Sequence, residues 1–138
     1  MLIVFLNVIF FLFSIFFYNN STHHHWDHTG GNLELKQKNK ELKICGPASE
    51  TIPGCDVPLA GGDEITSFGG DKTQIQIIDV GGHTNGHIAF YFPNDDILFS
   101  GDALFSLGCG KMFEGTPSQF WSSLKRLRSL PDETVGEY

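Results

Sequence analysis

Thr22-His23-His24-His25-Trp26-Asp27-His28 constrains this chain more than any other stretch. Four of the chain's six histidines fall within these residues, with a carboxylate among them. In an extended segment, side chains two apart point to the same side. The spacing therefore predicts that His23 and His25 converge on one metal while His24 faces elsewhere. Asp27 and His28 follow where the chain turns, and offer an oxygen and a nitrogen to a second cation. Neutral imidazole with carboxylate suits zinc, iron or manganese, and does not suit calcium.

Two further segments place metal-capable residues just after predicted strands. Thr73 to Val80 alternates as Thr-Gln-Ile-Gln-Ile-Ile-Asp-Val, reads as a strand, and stops at Gly81-Gly82 with His83 following. His87 to Phe92 and Asp96 to Ser100 read as two more strands joined by a Pro93-Asn94-Asp95 turn, and Gly101-Asp102 stands where the second ends. Ligands at the ends of neighbouring strands can converge, which separates this pattern from a solvated histidine-rich tract. The assignment that satisfies geometry puts His23, His25 and His83 on a first metal, Asp27 and His28 on a second, and Asp102 between them. Two cations about 3.5–4 Å apart clamp one hydroxide, and metal-bound water with a pKa near 7 is a strong nucleophile at neutral pH. Asp27 can accept a hydrogen bond from that hydroxide and orient it, so Asp27 and Asp102 are the candidate catalytic carboxylates. Such a centre suits hydrolysis of an ester, thioester, amide or phosphodiester.

The remaining chain supplies a scaffold. Gly30-Gly31-Asn32 opens a polar helical stretch from Leu33 to Lys40, and Leu42 to Cys45 reads as a short strand. Gly46 to Gly70 has loop and turn chemistry with one brief strand. A helix begins at Thr116, with Pro117 at its first position and Gln119 closing a capping box. Phe120, Leu124 and Leu127 recur at helical spacing, and Lys125, Arg126 and Arg128 suit the negative end of the helix dipole. Pro131 ends it. Mixed strands and helices in 138 residues predict one layered α/β (α+β) domain. A net charge of -7 with no long Lys/Arg run argues against a nucleic-acid groove. Cys45, Cys55 and Cys109 form no CxxC and cannot all pair, so free thiols in a reducing compartment are expected.

Residues 2–18 form an apolar run broken only by Asn7 and Ser14. As a helix it reaches about 26 Å, just short of the roughly 30 Å hydrocarbon core of a bilayer. It lacks the basic start and cleavage site of a signal peptide, and Lys36 is the first lysine. A buried strand ending near Tyr18 competes with a membrane-inserted or aberrant segment for the same residues. The expected division is an apolar segment over 1–18 and a catalytic domain over 19–138.

His23-His24-His25-Trp26-Asp27-His28 resembles the HxHxDH signature of the metallo-β-lactamase superfamily. Gly82-His83-Thr84-Asn85-Gly86-His87 and Gly101-Asp102, running into Gly108-Cys109-Gly110-Lys111-Met112-Phe113-Glu114-Gly115-Thr116, are similar to the hydroxyacylglutathione hydrolase (glyoxalase II) family. The resemblance covers roughly Asn19 to Tyr138. It implies part of an αββα sandwich, without the family's N-terminal strands and C-terminal helical domain. It implies hydrolysis of S-D-lactoylglutathione to glutathione and D-lactate by a metal-bound hydroxide, with two divalent metals, zinc foremost and iron or manganese as alternatives. Lys111 resembles the residue that holds a carboxylate of the glutathione moiety, and Phe113 stands where several members carry Tyr. Gly136-Glu137-Tyr138 resembles the family's Gly-His-Glu-Tyr segment without the histidine, so an impaired second metal site and weak or no turnover by this chain are expected. The rival readings are another superfamily hydrolase, an iron-dependent persulfide dioxygenase, and a non-catalytic metal-binding product. The family implies a cytoplasmic or mitochondrial compartment, and residues 2–18 add membrane association as an option.

Overall fold

The computed structural model describes residues 17–65 and 74–137. Two sheets organise them. The first holds β1 (Tyr18–Asn20), β2 (Lys43–Pro47) and β3 (Val57–Leu59), all parallel. The second runs in the order β4 (Glu64–Ile65), β5 (Ile75–Asp79), β6 (Ile88–Phe92), β7 (Ile97–Phe99) and β8 (Val135–Glu137). Neighbours from β4 to β7 are antiparallel, and β8 lies parallel to β7. The helices are α1 (Trp26–Thr29), α2 (Asn32–Lys38) and α3 (Pro117–Arg128), with a 3-10 turn at Gly101–Ala103.

β6 explains the layering. All five of its residues are buried, because each face of the strand packs on something different. Ile88, Phe90 and Phe92 join Ile75 and Ile77 of β5 and reach Cys45 and Leu59 of the first sheet, which fills the space between the sheets. Ala89 and Tyr91 face the other way, with Val80 and Leu98, onto Phe120 and Leu127 of α3. On the far side of the first sheet, Leu42, Ile44 and Ile52 form a smaller cluster near α2. The order is helix, sheet, sheet, helix, the αββα sandwich expected from the resemblance.

α3 forms as its sequence predicts. The Thr116 side chain accepts a hydrogen bond from the Gln119 amide at 3.2 Å, Pro117 occupies the first turn, and Phe120, Ser123 and Leu127 are the buried stripe. Arg126 Nη1 donates to the Asp79 carbonyl at 2.6 Å, which pins the basic end of the helix to the exit of β5. α2 is anchored by polar contacts. Buried Asn32 donates to Ser21 Oγ at 3.0 Å and accepts from Asn19 Nδ2 at 2.8 Å. Lys36 Nζ donates to Asp56 Oδ1 at 2.6 Å, and Asp56 Oδ2 accepts from the Ile44 amide at 2.9 Å.

Several expectations need correction. Thr22–His24 is a run of bends after β1, not an extended segment, and a helical turn begins at Trp26. The turn wins because the Thr29 hydroxyl and amide and the His28 amide all bond back to the His25 carbonyl. The loop after β2 holds two brief strands, β3 and β4, where one was expected. β8 was not foreseen. The competing readings of residues 2–16 lie outside the described residues, and β1 begins at Tyr18. Among the described residues, no helix is long and apolar enough to cross a membrane.

Candidate metal centre

Strand direction assembles the centre. β5 and β7 both run antiparallel to β6, so both end at the same edge of the sheet, and that places the His83 loop beside Asp102. The exit of β1 is held to the same edge by the Ile88 amide, which donates to the Thr22 carbonyl at 3.0 Å. β8 ends there as well, with the Ser100 amide donating to the Glu137 carbonyl at 2.9 Å.

At this edge three imidazoles meet. His25 Nδ1 lies 3.0 Å from His23 Nε2 and 2.9 Å from His83 Nε2. The tautomer of His83 follows from its other nitrogen. Nδ1 is 2.7 Å from the Lys111 carbonyl, which can only accept, so Nδ1 carries the proton and Nε2 presents a lone pair. His23 Nδ1 is 3.0 Å from the Thr22 hydroxyl, leaving its Nε2 turned inward. Imidazole lone pairs crowded this closely repel one another unless a cation or proton sits among them. His23 is wholly buried, and burial, reinforced by the neighbouring His87, His28, His83 and His25, pushes its pKa down to about 2. Three neutral imidazoles with a carboxylate facing them are a donor set that suits a divalent cation.

Asp102 faces this group and a second one. Its Oδ2 lies 3.3 Å from His83 Nε2 and its Oδ1 3.2 Å from His28 Nε2. His23, His28 and Asp102 bring their ligand atoms within 4.8 Å of one another, as do His23, His25 and His83. α1 produces the second group by returning the chain one turn after His25, so that His28 comes back over the site. Asp27 stands apart. Its side chain is 72% exposed, and its Oδ2 is 3.8 Å from His28 Nε2, at the rim of the site.

Lys111 and Phe113 cover the His83 side. The Phe113 amide donates to the His83 carbonyl at 3.1 Å, and the Phe113 ring packs edge-on to His25 and His83 at 5.4 and 5.2 Å. Lys111 Nζ stands 4.9 Å over the Phe113 ring, a cation–π distance. Gly110 makes this approach feasible, since a Cβ there would lie 2.9 Å from His83 Nδ1. His87, wholly buried, stacks on His23 at 4.5 Å between centroids. His24 turns away from the imidazole group, as its alternate position predicts, with Nδ1 2.9 Å from Glu50 Oε2. The sequence reading missed Thr22, the Lys111 carbonyl and Glu50. Only Thr22, adjoining the histidine run, carried a local signal.

A sequence profile described as the metallo-beta-lactamase superfamily matches residues 21–136. Hydroxyacylglutathione hydrolase of Photobacterium profundum is 50% identical over 113 residues, covering 82% of this chain and 43% of that protein. The protein of the same name from Hyphomonas neptunium is 51% identical over 116 residues, with 83% and 44% coverage. This chain thus spans less than half the length of these curated relatives. Among solved structures, ETHE1 from Myxococcus xanthus aligns with a TM-score of 0.75 at 29% identity, covering 88% of this chain and 54% of that one. TTHA1623 in a di-iron-bound form aligns at 0.68 and 31% identity, covering 86% and 66%. With the matched profile covering most of the chain and the imidazole group inside it, the chain belongs to the metallo-beta-lactamase superfamily.

Proposed function

We propose that this chain carries the metal-dependent chemistry of a hydroxyacylglutathione hydrolase, a thioesterase acting on S-D-lactoylglutathione. The observation that carries the reading is the convergence of His23, His25 and His83, with Asp102 set between that group and His28. Relatives of that name at 50–51% identity support the choice of a thioester. His23, His25 and His83 would hold one divalent cation, and His28, Asp102 and Asp27 would face a second. A divalent cation bound there lowers the pKa of water to near 7, so that a nucleophile exists at neutral pH.

The chain's own residues orient the rest. Asp27, at the rim, accepts a hydrogen bond from the attacking water and fixes its direction. Water adds to the thioester carbonyl, the C–S bond breaks, and the departing thiolate takes a proton to give glutathione beside D-lactate. Lys111, whose ammonium stands over the Phe113 ring beside His83, would meet a carboxylate of the glutathione moiety. Phe113 keeps it there through the ring face and shields His83 from solvent. The first cation group has three imidazoles. The second has one of its own, with Gly136 joined directly to Glu137 where the resemblance would place another. This chain is therefore expected to hold one cation tightly and to turn over slowly, below the roughly 1–1000 per second usual for enzymes.

The test is thiol release from S-D-lactoylglutathione by the purified chain, with zinc, iron or manganese added in turn. Metal-dependent release that His83→Ala abolishes supports the reading. Faster turnover of a lactone or a phosphodiester, or oxygen uptake with a persulfide, overturns the thioesterase assignment. Two tightly held metals per chain, by elemental analysis, overturn the impaired second site.

A further inference from the structure

The Glu50 side chain is only 5% exposed although it lies in a loop between β2 and β3. Its carboxylate is fully engaged. Oε1 accepts from the Thr84 hydroxyl at 2.5 Å and the Gly86 amide at 2.9 Å. Oε2 accepts from the His24 amide at 2.7 Å and pairs with His24 Nδ1 at 2.9 Å. Those partners sit on the two loops that carry the three converging imidazoles. His24 lies between His23 and His25, and Thr84 follows His83. Glu114 ties in the Lys111 loop, with Oε1 3.3 Å from His24 Nε2 and Oε2 accepting from the Asn85 amide at 2.9 Å.

His24, Glu50 and Glu114 also bring ligand atoms within 4.8 Å of one another, so a third cation site has to be weighed. The hydrogen bonds decide against it. An ionised carboxylate offers about four lone-pair positions, and protein donors occupy all four on Glu50. The two nitrogens of His24 face different carboxylates, so they do not point into one cage. The group is a clasp.

We propose that Glu50 is a positioning residue for the metal centre: by holding the His24 backbone and the Thr84–Gly86 turn to one carboxylate, it sets the separation of His25 from His83 and with it the cation affinity of the His23–His25–His83 group. This rests on the metal-centre reading above. The need for a clasp is physical. A neutral His25 carries at most one proton on Nδ1, so without a cation at least one of its two short contacts, with His23 Nε2 or His83 Nε2, sets lone pair against lone pair. Loops far apart in sequence have no other common anchor as fully bonded as this one among the described residues. A buried carboxylate with four donors on two segments resists that separation, because each lost bond would leave a buried donor or acceptor unpaired.

Cobalt(II) is the probe, added to the full chain and followed by chelator competition and by its visible bands, which report ligand geometry. Glu50→Gln keeps the size but turns an amide N–H2 towards two donors. It is expected to weaken cobalt binding about 10–100-fold and to shift the bands, the usual consequence of losing a group that orients a metal ligand. Glu50→Asp, which keeps the charge, recovers part of the affinity. Thr51→Ala, in the same cleft, retains wild-type binding. Wild-type affinity and bands in folded Glu50→Gln would reduce Glu50 to a structural role and overturn the proposal. So would loss of a separate cobalt ion with the imidazole group undisturbed. If Glu50→Gln does not fold, Thr84→Val removes one of the four donors; weakened cobalt binding supports the proposal and wild-type binding overturns it. The metal-centre reading fails differently: wild-type cobalt bands insensitive to His83→Ala would remove it, and the positioning role with it.

Discussion

Gly82 precedes His83, and its backbone is where the metal centre meets the core. Its φ of +150° lies in the region that favours glycine, and a Cβ built there would stand 2.5 Å from Cβ, Cγ and Cδ2 of Phe120. Those atoms are at the root of a buried side chain, so rotating Phe120 does not clear them. Retreat the other way is blocked by Gly115, whose amide donates to the Gly82 carbonyl at 3.1 Å. Gly82→Ala would force the separation from 2.5 Å to about 3.5 Å, a backbone displacement of about 1 Å. Overpacking of that kind costs about 1–3 kcal/mol and a strained backbone about 1–3 more. The expected total, about 2–6 kcal/mol, is a large fraction of the roughly 5–15 kcal/mol a domain has. Thermal unfolding by circular dichroism should show a midpoint lowered by roughly 10–20 °C, with weakened cation binding because His83 moves with its neighbour. Gly31→Ala is the control. Its φ of −85° is ordinary and nothing lies within 4 Å of the added methyl, so a change within about 0.5 kcal/mol is expected. A Gly82→Ala protein with wild-type midpoint and wild-type cation affinity would refute the reasoning.

Two more outcomes follow from groups away from the centre. The Lys36 ammonium and the Ile44 amide hold the Asp56 carboxyl below its usual value of 3.8, so its contribution is complete above that pH and is lost as pH falls through the lowered value. Asp56→Asn should cost about 0.5–1 kcal/mol at pH 6 and flatten the acid limb of a urea-unfolding series, and an unchanged acid limb would remove Asp56 from the account. Cys109 is exposed, whereas burial pushes the Cys45 thiol up to about 12. Iodoacetamide at pH 8 should label Cys109 in the folded chain and Cys45 only after denaturation, as read by peptide mass.

Local chemistry made part of this molecule legible. α3 could be read because its cap, its proline and its apolar stripe all lie within the segment itself. β5, β6 and β7 could be read because alternation and punctuation agree there. β8 could not: its three residues are exposed, carry no alternation, and become a strand only by pairing with β7, far earlier in the chain. The bends at Thr22–His24 were hidden for a related reason. Spacing correctly separated His24 from its neighbours, but a run of bends and a strand can both do that. Glu50 left no trace at all, since a loop glutamate with four partners reads like one with none.

The separation between what was legible and what was not follows the architecture of the centre. His83 and Asp102 were detectable because each follows a strand that announces itself, and His23, His25 and His28 because they crowd into one short stretch; the elements end together because β5 and β7 share a direction and Thr22 is tied to Ile88. Strand direction thus delivers His83 and Asp102 to one edge without any specific contact between them. It cannot set the last ångström. That falls to groups that bond across loops, namely the Lys111 carbonyl fixing the proton on His83, and Glu50 fixing the His24 segment against Thr84 and Gly86. A relative that keeps every ligand but loses the carboxylate at this position should retain the fold and the cluster while binding its cation more weakly.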